Sequence, residues 1–226
     1  MLTLLHTAAS NVAVFDALLR ALAPDIPARH VVDEAILREV REAGTVTPSV
    51  AGRLAERLAQ LAADGSPVLC TCSTIGGLAE SSHPNVLRVD RPMAERAVSL
   101  GRRIGVAATL QSTIVPTTAL LHDAARKADK AVELTEIFIR SAWPFMERGD
   151  AEGYAREIAA RLAEACAAQT FDVIVLAQAS MAVAEPLCAD LPCPVLSSPR
   201  LGLLAAISAY RAHLSDTLSS NARLNS

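Results

Sequence analysis

Short apolar runs alternate along this chain with longer stretches in which apolar residues recur every three or four positions. The runs at residues 2–5, 68–70, 104–108 and 174–177 pass into small polar residues, as buried parallel strands do where they enter loops. Between them lie helical patterns, such as the face that Leu54, Leu58 and Leu61 form within residues 50–63. Strands that alternate with helices predict βαβ units, so we expect an α/β fold with parallel sheets.

The second half of the chain repeats the first. Residues 68–74 (VLCTCST) match residues 174–180 (IVLAQAS), so Cys72 corresponds to Gln178 at an offset of 178 − 72 = 106 positions. Both halves also close with a short apolar run before a proline, within residues 85–92 and 193–199. We therefore predict two pseudo-symmetric lobes, residues 1–100 and 101–202, each with a parallel sheet of about four strands flanked by helices. Residues 203–226 are predicted to return to the first lobe as a helix.

Composition and charge exclude several classes of partner. A net charge of −3 over 226 residues gives no electrostatic basis for binding nucleic acid. No apolar run is long enough to span a membrane, and the first residues lack the pattern of a signal peptide. We therefore expect a cytoplasmic protein with neither nucleic acid nor membrane as a partner.

The cysteines indicate reduced thiols. The chain has an odd number, 5, and Cys70 and Cys72 are spaced C-x-C with no histidine pair at zinc spacing after them. We predict no metal site.

Candidate site residues follow the apolar strands, because ligands of open parallel sheets bind beyond the carboxyl ends of the strands. Two facing lobes would bring these ends together in one cleft, where hydroxyls and amides suit a small carboxylate. The candidates are the thiol of Cys72 and the side chains of His6, Ser73, Thr74, Arg91, Thr109, Ser112, Thr113, Gln178 and Ser180.

Seven of these candidates have alternative interpretations. Thr109, Ser112 and Thr113 either donate to a carboxylate or only cap a helix. Cys72 is either a reactive thiol, with a pKa lowered by a helix N-terminus just downstream, or a buried apolar cysteine. His6 is a substrate contact, a base, or a histidine satisfied within the fold. Arg91 either binds a carboxylate bidentately or forms a surface turn with Asp90. Gln178 either contacts the ligand or fills a loop.

The sequence Cys72-Ser73-Thr74 after an apolar strand, with a second lobe opening at residues 103–109 (RIGVAAT), resembles the aspartate/glutamate/hydantoin racemase superfamily. Maleate isomerases and arylmalonate decarboxylases belong to the same group. The resemblance spans nearly the whole chain and implies two flavodoxin-like lobes, an active site between them, and thiol chemistry without a cofactor. The family motif is Cys-Asn-Thr, in which Ser73 replaces the asparagine.

The second family motif is altered. Where the family has Gly-Cys-Thr or Gly-Cys-Ala, residues 177–181 are AQASM, with Gln178 at the place of the thiol. The two-base racemases use a thiol on each face of the α-carbon, and a carboxamide cannot take a proton from carbon. The resemblance then implies an enzyme with a single thiol, Cys72, that acts on a small carboxylic acid as a decarboxylase or isomerase. The arylmalonate decarboxylases also work with one thiol, although theirs is in the second lobe.

Two alternatives stay open. An amino-acid or hydantoin racemase would need a second base other than cysteine, for which His6 is the nearby candidate. A non-catalytic protein would bind a small carboxylate without turnover. The sequence does not specify the substrate, its stereochemistry or the oligomeric state, for which a homodimer is one option.

Overall fold

The computed structural model describes residues 1–224, from residue 220 onward by backbone only. It has the predicted α/β class, with two parallel sheets of four strands each, flanked by helices. The chain divides into two compact units, Met1–Val89 with the segment from Gly202 onward, and Asp90–Leu201. Residues 225–226 of the predicted returning segment lie outside the described residues.

The first unit contains the sheet with strand order β2-β1-β3-β4, in which every pair is parallel. Leu54, Leu58 and Leu61 are buried on one face of the third helix, as their spacing predicts. The elements are β1 (Leu2–His6), α1 (Ser10–Leu22), β2 (Ala28–Val32), α2 (Glu34–Ala43), α3 (Pro48–Leu61), β3 (Val68–Cys70), α4 (Ser73–Ser82) and β4 (Val86–Arg88).

The second unit contains a sheet with the equivalent order, β6-β5-β7-β8, again parallel throughout. Short 3-10 helices at Gln111–Thr113, Arg140–Ala142 and Ala179–Cys188 interrupt its connections. The other elements are α5 (Arg91–Leu100), β5 (Arg103–Ala108), α6 (Ile114–Lys127), β6 (Glu133–Phe138), α7 (Trp143–Glu147), α8 (Ala151–Ala168), β7 (Val173–Leu176) and β8 (Val195–Leu196), followed by α9 (Ser198–Leu224), within which the division between the units falls. None of the helices in the described part of the chain is long and apolar enough to cross a membrane.

The strand registers confirm the internal repeat. Leu5 of β1 pairs with Cys70 of β3, and Ala107 of β5 pairs with Leu176 of β7. The next residue along the chain then donates its backbone N–H to the first strand in both units. Thr71 donates to the Leu5 carbonyl at 3.0 Å, and Ala177 donates to the Ala107 carbonyl at 2.8 Å. The following residue, Cys72 or Gln178, is the N-cap of the next helix and has an extended backbone in both.

The boundary between the units differs from the predicted one. Residues 90–100, which the sequence analysis placed in the first lobe, belong to the second unit. The cause is the apolar face of α5, where Met93, Ala97 and Val98 are buried in one core with residues of β5, α6 and β7. The last helix also begins earlier than predicted, at Ser198 instead of Leu203.

We predict that Gly202→Ala destabilises the first unit. A Cβ at residue 202 would lie 2.2 Å from the Val89 carbonyl oxygen and 2.8 Å from its Cα, so the backbone of one element must move. Overpacking of this kind costs about 1–3 kcal/mol. Gly52→Ala is the matched control, because that glycine lies in α3 with nothing within 4 Å of an added Cβ.

Urea unfolding of the two variants measures the difference. We expect a lower free energy of unfolding for Gly202→Ala, and for Gly52→Ala a gain of up to about 1 kcal/mol from helix propensity. Equal stabilities of the two variants would contradict the close approach of α9 to the end of β4.

Candidate active site

The Cys72 thiol lies at the carboxyl edge of the first sheet, where β3 passes into α4. The hydroxyls of Thr7 and Thr74 and the backbone N–H groups of Thr74 and Ile75 lie near its sulfur, where hydrogen bonding from them lowers the pKa of Cys72. Thr7 directly follows β1, and Thr74 and Ile75 form the first turn of α4. The side chain is almost entirely buried, with 8% of the residue exposed. Strand end and helix start therefore both contribute donors to one sulfur.

The thiol is nevertheless harder to ionise than an ordinary cysteine. Burial raises the pKa of Cys72, while the hydrogen bonds from Thr7, Ile75 and Thr74 lower it by a smaller amount. The expectation of a pKa lowered by the helix N-terminus was therefore wrong in its net direction, because desolvation outweighs the donors. At neutral pH the group is a thiol that holds a proton, surrounded by donors that would stabilise the thiolate left when that proton is given away.

The two residues after Cys72 differ in their contacts. The Thr74 hydroxyl is one of the groups near the Cys72 sulfur that lower its pKa. Ser73 is buried, and its hydroxyl has no hydrogen-bond partner within the part of the chain that the structure describes. Leaving a buried hydroxyl unpaired costs about 1–3 kcal/mol, so a ligand acceptor at Ser73 would recover that free energy.

His6, the last residue of β1, is fully buried and engaged at both ring nitrogens. Its Nδ1 lies 2.8 Å from the Thr71 hydroxyl and its Nε2 lies 2.9 Å from Nδ1 of His30. Burial first, and then the proximity of His30, lowers the pKa of His6 to about 4. His6 is therefore a neutral side chain satisfied within the first unit, which favours the structural interpretation over substrate contact or general base.

The Gln178 side chain lies at the equivalent edge of the second sheet. Its Oε1 accepts hydrogen bonds from the N–H of Thr109 at 2.7 Å, the N–H of Leu110 at 3.0 Å and the Thr109 hydroxyl at 3.1 Å. The Thr113 hydroxyl lies 3.5 Å from the same oxygen and donates at 2.8 Å to the Leu110 carbonyl. These donors converge on one point as they would on an anion, and the uncharged carboxamide oxygen fills it. Thr109 bonds Gln178 in this structure, and the prediction that Thr109 and Thr113 bind a carboxylate stays a prediction.

The nitrogen of the same amide remains available. Nε2 of Gln178 makes no hydrogen bond to any residue that the structure describes, and Gln178 is 7% exposed. The oxygen is fixed by several donors, so the amide cannot flip without losing them, and Nε2 carries two N–H groups for an acceptor. Gln178 can therefore bind an oxygen of a ligand but cannot remove a proton from carbon.

Tyr154 supports this arrangement and was not identified from the sequence. Its hydroxyl, buried on α8, lies 3.0 Å from the Thr109 hydroxyl and 3.3 Å from the Ser180 hydroxyl, and burial raises its pKa. The sequence signal was the position of Tyr154 on the apolar face of α8 with Ile158 and Leu162. A phenol buried on such a face needs a polar partner for its hydroxyl.

The remaining candidates lie in the second unit. Arg91 begins α5, and its Nη1 lies 3.0 Å from Oδ2 of Asp123. Hydrogen bonds from Lys127 and Arg91 lower the pKa of Asp123 to about 2, and its ionised carboxylate is shared by Arg91, Arg126 and Lys127. The Ser112 hydroxyl is buried without a hydrogen-bond partner in the described part of the chain. The convergence of both sheet edges on one ligand stays a prediction.

No group of three or more His, Cys, Asp or Glu side chains within the described residues is placed to hold a metal ion. No protein-family model matches the chain. No curated protein matches it by sequence.

Several solved structures have the same fold. An aspartate racemase from Picrophilus torridus superposes with a TM-score of 0.67 at 14% identity, covering 92% of this chain and 93% of that one. An allantoin racemase from Klebsiella pneumoniae gives 0.64 at 17% identity, covering 92% and 86%. An arylmalonate decarboxylase gives 0.58 at 15% identity, covering 93% and 92%. The predicted resemblance to this superfamily is confirmed at the level of the fold, with the described strands in two four-stranded parallel sheets.

We predict that Gln178→Met destabilises the second unit whereas Gln178→Glu largely preserves it. Methionine has a similar length but offers only a weak acceptor, so the N–H groups of Thr109 and Leu110 lose their partner at a cost of about 2 kcal/mol or more. Glutamate keeps an oxygen at the same place, and converging N–H donors favour its ionised form.

Urea unfolding at neutral pH distinguishes the two variants. We expect the Gln178→Glu protein within about 1 kcal/mol of the native chain and the Gln178→Met protein clearly below it. A Gln178→Met variant as stable as the native chain would show that the donors do not depend on this oxygen.

Proposed function

We propose that this protein is a cofactor-independent enzyme that acts on a small carboxylic acid with the single thiol of Cys72, as a decarboxylase or isomerase. The observation that carries the proposal is the state of that thiol. Burial keeps it protonated, while Thr7, Thr74 and Ile75 supply donors to the sulfur. A group in this state suits proton donation, and its thiolate is met by hydrogen bonds already in place.

A decarboxylase would first lose carbon dioxide and then protonate the α-carbon. The C–C bond to the departing carboxylate breaks, carbon dioxide leaves, and the electron pair remains on the α-carbon as an enediolate. The Cys72 sulfur gives its proton to that carbon and becomes a thiolate, which water later reprotonates. For an isomerase, the Cys72 sulfur instead adds to one carbon of a carbon–carbon double bond while its proton goes to the other carbon. The carbon–carbon bond, now single, rotates; the C–S bond then breaks and that proton returns to the sulfur, which releases the other geometric isomer.

Gln178 has a binding role in this proposal. Its Nε2 donates to an oxygen of the substrate, which selects for a carboxylate or carbonyl at that position. The Ser73 and Ser112 hydroxyls, both without partners among the described residues, are the further donors we assign to the substrate. We keep Thr74 as a residue that acts on the sulfur, and Thr109, Thr113 and Ser180 as residues that support Gln178 directly or through Tyr154.

The fold supports the superfamily. The similar structures named above are two racemases and a decarboxylase, so isomerase and decarboxylase chemistry are both found on this architecture. Racemisation by this chain is less well supported, because Gln178 has an amide where a second thiol would stand. His6 is neutral, with a pKa of about 4, and both of its ring nitrogens are occupied.

A non-catalytic carboxylate-binding protein is the second candidate. The observation that favours it is the low exposure of Cys72, 8%, together with its raised pKa, since both lower the reactivity of the sulfur as a nucleophile. Turnover separates the two candidates, because a binding protein would bind a carboxylate without consuming it.

We predict that Cys72→Ser abolishes turnover while the fold is retained. A serine hydroxyl has a similar size but is a far weaker acid than a thiol near neutral pH, so the rate should fall by about 10²-fold or more. The measurement is product formation by NMR from a panel of substituted malonates and from maleate. Cys166→Ser, which removes a half-buried thiol in α8 of the second unit, is the matched control and should leave the rate unchanged.

Three results would contradict the proposal. Equal rates for Cys72→Ser and the native chain would exclude a role for the thiol. Binding of a panel member by the native chain with no product from any of them would favour the binding protein. Release of both enantiomers of an amino or hydroxy acid by the native chain would indicate a racemase whose second base is not a cysteine.

A further inference from the structure

The turn that carries Cys72 is tied to β1 by two hydrogen bonds on one carbonyl. Thr71 donates to the Leu5 oxygen through its backbone N–H at 3.0 Å and through its hydroxyl at 3.1 Å. The residue is fully enclosed, with 1% exposed. The hydroxyl therefore adds a side-chain bond to the backbone bond that already sets the register at this point.

The same hydroxyl contacts His6, and the network assigns the tautomers of two histidines. Thr71 has one hydroxyl proton, which goes to Leu5, so its oxygen accepts from Nδ1–H of His6 at 2.8 Å. Nε2 of His6 is then an acceptor, and Nδ1–H of His30 donates to it at 2.9 Å. The His6 and His30 rings lie within 9° of parallel, and Phe15 packs at 5.6 Å from the His6 ring centroid.

The second repeat provides an internal control for this chain of contacts. From the strand registers, the equivalents of His6 and Thr71 are Ala108 and Ala177. The Ala177 N–H still donates to the Ala107 oxygen at 2.8 Å with alanine at both positions, in a turn that the Gln178 side chain also ties to the residues after β5. The backbone bond of the turn therefore forms without a His–Thr pair, and this pair occurs in the repeat that has the thiol.

We propose that His6 and Thr71 are positioning residues for the Cys72 thiol, and that His30 fixes the His6 ring in the orientation this requires. The inference rests on the proposed function in that it takes Cys72 as the reacting group. By holding the residue before Cys72 against β1 with a second bond, the pair keeps the sulfur within reach of Thr7, which follows His6 on the same strand, and of Thr74 and Ile75 in α4.

The test measures the thiol itself and needs no substrate. Alkylation of Cys72 by iodoacetamide is followed by peptide mass spectrometry from neutral to alkaline pH, which gives the midpoint of its titration. Thr71→Val removes the hydroxyl at nearly constant volume, and Thr71→Ser is the matched control that keeps it. We expect Thr71→Val to move the midpoint upward by about half a pH unit or more, so that alkylation at neutral pH falls about threefold or more, and Thr71→Ser to restore the native profile.

A second pair of variants keeps the inference testable if Thr71→Val does not fold. His6→Asn places an amide where Nδ1 was and retains the bond to Thr71, whereas His6→Gln reaches only the position of Nε2. We expect His6→Gln to give the Thr71→Val profile and His6→Asn to lie closer to the native profile, because asparagine keeps the bond to Thr71 and loses the one to His30. Circular dichroism and thermal unfolding establish that the variants compared are folded.

The outcomes separate this inference from the proposed function. A midpoint that is unchanged or moves downward in both Thr71→Val and His6→Gln overturns the positioning role, whether or not Cys72 is required for turnover. If the midpoint moves upward in these variants but Cys72→Ser is as active as the native chain, the positioning role is retained and the proposed function is refuted.

Discussion

The register between the first and third strand of each sheet is the constraint on which both candidate sites depend. Leu5 opposite Cys70, and Ala107 opposite Leu176, place the end of one strand beside the start of the next helix. Cys72 and Gln178, two positions after Cys70 and Leu176, are the helix N-caps. Their neighbours lie two positions after Leu5 and Ala107. Thr7 therefore contacts Cys72, and Thr109 contacts Gln178, through the same geometry. A slip of one residue in either register would turn these side chains to the opposite face of the sheet.

The two repeats place different groups at this shared position. In the first, donors from the strand end and the helix start point at a sulfur whose pKa is raised by burial. In the second, donors from the residues after β5 point at the oxygen of Gln178. A donor cluster lowers the activation free energy when it stabilises a negative charge that appears during the reaction. Donors that hold the same oxygen before and during turnover do not lower it. The proposed division of roles, with acid chemistry at Cys72 and recognition at Gln178, follows from this difference.

The sequence was sufficient to predict the features that local pattern determines. Apolar runs that end in small polar residues identified β1, β3, β5 and β7 and the correspondence of Cys72 with Gln178, because strand ends and helix caps depend on neighbouring residues. The strands β2 and β6 were not predicted, because their side chains are mostly part-exposed and form no apolar run. The assignment of α5 was wrong because the apolar face of Met93, Ala97 and Val98 does not specify which core covers it. The direction of the Cys72 pKa was wrong because the depth of burial depends on residues far along the chain. The Tyr154 and Thr109 pair, separated by 45 positions, was missed for the same reason.

The central claim is that one protonated thiol delivers one proton to carbon, with no second base in the opposite repeat. The most direct measurement is turnover of a prochiral substituted malonate by the native protein in heavy water, with the product analysed by NMR and chiral chromatography. The account predicts one deuterium at the α-carbon, a single enantiomer, and no further exchange when the product is returned to the protein. Racemic product would contradict the account because the proton must then reach both faces of the carbon. Continuing exchange of the α-proton would contradict it because a base must then remove that proton from the product.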